Sequence, residues 1–284
     1  MFNPRRVMVL GLALWAVATS PSLADAQRDR GAYLVRGIVA CGNCHTPKDA
    51  DGKAIAAQEL AGGFVIEAPV FRAVAPNITP DRDTGIGAWT DEQIVDSIRN
   101  GKRPDGSLIG PPMPIDFYRQ MSDSDVMAIV AYLRAVPPVS NKVEKSTYKI
   151  PLPPSYGPAV THVPDIPRAN SAAYGKYLAD IAHCMECHTP MERGVLITAK
   201  LGAGGRILPA LPTGEIVSSN LTPANPDGIA RWTDAQVKTA ITDGIRPDGR
   251  QLVRLMAFDW YKHTDPIDLD ALVTYLRTLQ PATP

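Results

Sequence analysis

Four cysteines and five histidines in 284 residues leave this chain few groups with which to do chemistry. Charge of either sign is not in excess, with 29 Lys and Arg against 29 Asp and Glu. That balance provides no basic field for nucleic acid and no strong acidic patch. Long hydrophobic runs are scarce as well. Residues 7–18 form one apolar stretch, too short to span a bilayer comfortably, and no other segment approaches the necessary length.

All four cysteines fall in two pentapeptides, Cys41-Gly-Asn-Cys44-His45 and Cys184-Met-Glu-Cys187-His188. C-x-x-C-H is the pattern of covalent c-type haem attachment. Two sulfurs form thioethers to the haem edge, and the following histidine is held under the ring where it can ligate iron. The expectation is two covalently bound haem c groups, on Cys41 and Cys44 and on Cys184 and Cys187, with His45 and His188 as iron ligands. No cysteine remains for a disulfide, a third haem or a cysteine-ligated iron. An all-cysteine zinc site would need both pairs in one module. A thioredoxin-like C-x-x-C belongs on a βαβ pattern, which the flanks do not have.

An internal repeat supports the haem reading. Asn77, Trp89, Arg103 and Tyr132 recur 143 residues later as Asn220, Trp232, Arg246 and Tyr275, as the cysteines do. Upstream the register slips by one, Tyr33 matching Tyr177. Of the methionines after each haem motif, Met113 and Met256 stand in this register. A methionine ordinarily fills an apolar core, but these two sit in irregular stretches at matching positions and are the candidate second iron ligands. Histidine is the competitor. The first repeat has no other histidine, His263 lacks a counterpart because Gln120 stands there, His162 lies between the repeats, and His183 is expected to point to solvent. His45 and His188 should each donate the second ring nitrogen to a backbone carbonyl.

The N-terminus reads as a secretory signal peptide over 1–26, with arginines at 5 and 6, the apolar run, and Ala24-Asp-Ala26 as the cleavage site. The expected location is the periplasm, with any membrane association made through partners or an uncleaved N-terminal segment. The remainder divides into 27–139, a proline-rich linker at 140–170, and 171–284. Each unit should open with a short helix, over 29–40 and 171–182, leading into its haem motif. A Gly- and Pro-rich loop of about forty residues follows, a length that points to function. Thr90-Asp-Glu-Gln93 and Thr233-Asp-Ala-Gln236 have capping-box form. Those helices should stop near Gly101 and Gly244. Last helices start at Ser122 and at Asp265-Pro266. Eight prolines over 137–170 predict a semi-rigid linker holding the two haems in a fixed pose.

Together, the haem motifs with Asn77-Ile-Thr-Pro-Asp81, Gly85-Ile-Gly-x-Trp89-Thr-Asp-Glu, Arg103-Pro-Asp-Gly106, Pro111-Pro-Met113-Pro and Ala131-Tyr-Leu-Arg134 resemble the multihaem cytochrome c subunits of periplasmic dehydrogenases. These serve alcohol, aldehyde and sugar-acid oxidation and some molybdenum hydroxylases. The resemblance covers nearly all of the chain after residue 26. It implies a mainly α fold of two tandem class I cytochrome c domains, each with a His/Met haem. The alcohol and gluconate dehydrogenase subunits of this kind carry three haem motifs and a C-terminal membrane-associating stretch; this chain carries two motifs.

The expected function is electron transfer, without catalysis, from a periplasmic dehydrogenase to a cytochrome, an oxidase or a quinone-linked acceptor of the respiratory chain. Met ligation raises the potential and closes the iron to peroxide or oxygen. The alternative is a dihaem peroxidase, which needs one open or displaceable iron position. Trp89 and Trp232 are candidate indole donors to haem propionates, or core residues. Arg103 and Arg246 are candidate propionate partners, or solvated turn residues. Asn77 and Asn220 bond a propionate or fix a turn.

Overall fold

The first element of the chain's computed structural model, helix α1 (Leu23–Arg36), begins six residues before its expected start. The structure describes residues 22–211, 214–226 and 228–282, so most of the expected signal peptide lies outside the described residues. Ser22 explains the early start. Its Oγ accepts from the Asp25 amide at 3.1 Å, and Asp25 in the first turn complements the helix dipole.

After α1 the first half runs α2 (Cys41–His45), strands β1 (Val65–Ala68) and β2 (Phe71–Val74), α3 (Asp91–Arg99), α4 (Ile115–Tyr118), α5 (Asp123–Ala135) and β3 (Thr147–Tyr148). The second runs α6 (Ala172–Ile181), α7 (Cys184–His188), β4 (Met191–Glu192), β5 (Val195–Leu196), β6 (Ile207–Leu211), β7 (Gly214–Val217), α8 (Asp234–Thr242), α9 (Phe258–Tyr261) and α10 (Pro266–Leu276). Helix starts follow the sequence. Thr90 and Thr233 close capping boxes with Gln93 and Gln236. Ser122 and Ser171 cap α5 and α6.

The core of each half is a crossing of its first and last helices, α1 on α5 and α6 on α10. Gly31 and Gly175 make these crossings close. A Cβ at either would stand 1.9 Å from the carbonyl oxygen of Ala128 or Ala271. Leu34, Val35, Ile129 and Leu133 fill the first crossing, and Leu178, Ile181, Leu272 and Leu276 the second.

The long loops are not structureless, and short strands accompany the helices of the expected mainly α fold. β1 and β2 form an antiparallel hairpin with Val65 opposite Val74. β6 and β7 form its counterpart with Ile207 opposite Val217. β4 and β5 pair as a third, shorter hairpin.

The halves are tied by a reciprocal polar contact. Tyr33 on α1 donates to Asp268 on α10 at 2.5 Å, and Tyr177 on α6 donates to Asp125 on α5 at 2.7 Å. Arg30 and Arg168 pair with the same two carboxylates.

The proline-rich segment lies on the first half. Asn141 donates to the Ala61 carbonyl at 2.9 Å, β3 adds to β2 with Tyr148 opposite Phe71, and Val163 exchanges hydrogen bonds with Asp123.

Candidate functional site

Each C-x-x-C-H motif is a five-residue helix entered through a left-handed residue, Ala40 at φ 53° and His183 at φ 46°. The i, i+3 spacing puts the two cysteines of each motif on one helix face. Burial pushes the Cys41, Cys184 and Cys187 thiols up to about 12 and raises Cys44 as well. None is a free nucleophile at neutral pH.

The carbonyls that orient the motif histidines can now be named. His45 Nδ1 lies 2.8 Å from the Pro76 oxygen, and His188 Nδ1 lies 2.8 Å from the Ser219 oxygen. A carbonyl only accepts, so Nδ1 carries the proton and Nε2 keeps its lone pair for a metal. Burial lowers both imidazole pKa values, keeping the rings neutral.

In the first half, the sequence-selected residues come together. One cavity of about 290 Å³ is lined by Cys41, Cys44, His45, Met113, Trp89 and Arg103. Ile86, Ile94, Ile129 and Leu133 provide apolar wall. Two thiols, an imidazole, a thioether and an apolar enclosure are a donor set and a surface that fit a haem. Arg103 Nη1 donates to the Leu108 carbonyl at 2.7 Å.

Trp232 packs against the core with the Arg246 guanidinium 5.2 Å from its ring centre. Arg246 Nε is buried with no hydrogen-bond partner, and Asp248 Oδ2 stands 3.8 Å away. A buried, unsatisfied cationic donor asks for an acceptor, and a haem carboxylate would supply one. Met256 is half-buried against the core and lines a hollow with Asn43, Lys48, Trp260 and His263. No described contact joins it to His188.

Asn77 and Asn220 fix turns. Asn77 Oδ1 accepts from the Thr79 amide and hydroxyl while Nδ2 donates to Thr84 and the Val139 carbonyl. Asn220 repeats this with Thr222 and the Ala282 carbonyl.

His183 is only partly open to solvent, with 30% of its side chain exposed. It lines the first cavity and meets the Tyr118 ring edge-on at 6.1 Å. Burial lowers its pKa to about 4, so it is neutral there. The residue just before the second haem motif therefore walls the first cavity. The one available signal was the broken register, Ala40 against His183. Trp260 was also missed: a Cβ on Gly42 would lie 2.7 Å from its Nε1, so it packs directly on α2.

These features fit a cytochrome c, a protein that holds haem c covalently. Residues 26–133 match the family described as Cytochrome C oxidase, cbb3-type, subunit III. The chain is 32% identical to the fructose dehydrogenase cytochrome subunit of Gluconobacter japonicus, over 96% of this chain and 57% of that protein. It is 30% identical to the cytochrome c subunit of the quinone alcohol dehydrogenase of Gluconobacter oxydans, over 97% and 60%. It is 29% identical to a diheme cytochrome c-type protein of Cereibacter sphaeroides, over 95% and 94%. The chain is thus similar along nearly its whole length to cytochrome c subunits of dehydrogenases, and residues 26–133 carry the match to a cytochrome family. It spans about three fifths of the length of the two dehydrogenase subunits.

Proposed function

We propose that this chain is a dihaem c-type cytochrome carrying electrons from a periplasmic dehydrogenase to a respiratory acceptor. Its units are cytochrome c domains at 27–139 and 171–284, flanking the segment 140–170. The observation that carries this reading is the first cavity, where both cysteines, His45 and Met113 share one apolar enclosure. The 143-residue register of His45–Pro76 with His188–Ser219 extends it to a second haem.

Bound haem supplies a one-electron ferric–ferrous couple. Cys41, Cys44, Cys184 and Cys187 attach it. His45 and His188, held by their carbonyls, would ligate iron through Nε2, and Met113 and Met256 would supply the thioether ligands. The protein's task is positioning, burial and exclusion of water. Arg246 pairs with a propionate in this reading, beside Trp232; Trp89 and Arg103 line the corresponding edge of the first site. The dehydrogenase subunits among the relatives support a dehydrogenase donor. The acceptor is a cytochrome, an oxidase or a quinone-linked protein. The relatives give the dihaem peroxidase alternative no support.

Near-infrared magnetic circular dichroism of the oxidised protein, with electron paramagnetic resonance, should report two low-spin His/Met haems. In Met113→Ala, haem should stay attached while that iron gains carbon monoxide binding. A high-spin or His-only haem in the wild type overturns the closed-carrier reading.

A further inference from the structure

The proline-rich segment touches the one loop on which the first iron ligand depends. Residues 108–113 carry Met113 through an irregular stretch, and three of their carbonyls receive side-chain donors. Arg103 donates to Leu108 at 2.7 Å, Tyr156 to Ile109 at 2.6 Å, and Tyr148 to Pro111 at 3.0 Å. Two of those donors come from the linker. Tyr148 is held in place by strand pairing with β2 and by the Phe71 ring 6.1 Å away. The packing is too close for side chains. A Cβ on Gly110 would lie 2.6 Å from the Tyr148 ring, and one on Gly101 would lie 2.7 Å from the Tyr156 ring. Gly101 also accepts from the Ile109 amide at 2.7 Å.

We infer that Tyr148 and Tyr156 are positioning residues that clamp the Met113 loop, so that the linker sets how firmly Met113 closes the first haem. This rests on the reading that Met113 ligates that iron. Among the described residues the clamp is made in the first half. The register equivalents of Ile109 and Pro111 are Leu252 and Arg254, and among the described residues no tyrosine hydroxyl reaches either carbonyl. Tyr148, anchored in a strand, loses little freedom on bonding, so its hydroxyl adds to loop closure at small entropic cost.

The test is Tyr148→Phe, Tyr156→Phe and the double variant in the full holoprotein. Phenylalanine keeps the packing and removes the hydroxyl. The readouts are the methionine–iron charge-transfer band in the near infrared, carbon monoxide binding, and hydrogen exchange over residues 108–114. Each hydroxyl removed should raise the open-loop population about fivefold. Carbon monoxide binding should rise at the first haem alone, with Met113→Ala marking which haem that is. The second haem's signals should stay fixed. If the wild type shows the methionine band for both haems and the double variant leaves exchange and carbon monoxide binding unchanged, the clamp is wrong while the ligation stands. If the wild type lacks a methionine band for the first haem, ligation by Met113 fails and the clamp falls with it.

Discussion

At Gly31 and Gly175 a hydrogen is the largest group that fits. The Ala128 and Ala271 carbonyls stand 1.9 Å from where a Cβ would be, and both belong to helix backbone that cannot turn aside. Gly31→Ala must push α1 away from α5 and loosen Leu34 and Val35 against their neighbours. Overpacking of this kind costs about 1–3 kcal/mol. Thermal unfolding of the holoprotein should then shift down by roughly 2–4 °C for each kcal/mol. An unchanged midpoint would mean that the helices do not cross this closely. Arg246 shows the same residue-level specificity from the polar side. Its repeat partner Arg103 has a carbonyl for its guanidinium, while the Arg246 Nε has none.

Among the elements, α5 is where the linker is fastened. Asp123, its first residue, accepts from the Val163 amide at 3.1 Å and pairs with His162 and Arg99, each at 2.6 Å. Desolvation acts to raise its pKa, but the Val163, His162 and Arg99 contacts outweigh it and hold the carboxyl down to about 2. The folded value lies below the unfolded one, which is about 4. The contribution to stability is therefore fully present above about pH 4 and is lost as pH falls toward 2. Urea unfolding of wild type and Asp123→Asn should differ at pH 5 and converge as the pH approaches 2. A gap that stays constant with pH would show that the carboxylate's charge plays no part. The side chain is partly open to solvent, so the effect should be modest.

For the whole molecule, the reciprocal Tyr33–Asp268 and Tyr177–Asp125 contacts decide how the halves meet. Each is a hydrogen bond to a buried carboxylate, worth about 1.5–3 kcal/mol. The two sites use different residues on different helices, so their losses should add. Tyr33→Phe with Tyr177→Phe should lower the denaturation midpoint by the sum of the single effects. Should the double variant unfold at the wild-type denaturant concentration, the halves are held by something else. The same association brings His183 into the first cavity and Trp260 onto α2, so each half builds part of the other's surroundings.

The amino-acid sequence alone determined the haem motifs, the repeat, the helix caps and the candidate ligands. These depend on residue chemistry and on spacings of a few residues, which a linear reading contains. The starts at Thr90, Ser122 and Thr233 were legible because a cap bonds within its own turn, and the start at Asp265 because Pro266 suits the first helical position. Tertiary structure alone decided the Pro76 and Ser219 carbonyls behind the histidines, the place of His183 in the wall of the first cavity, the hairpins within the long loops and the laying of the linker on the Met113 loop. Each of these joins groups far apart in the chain, and which distant groups meet depends on how the packed helices bring them together.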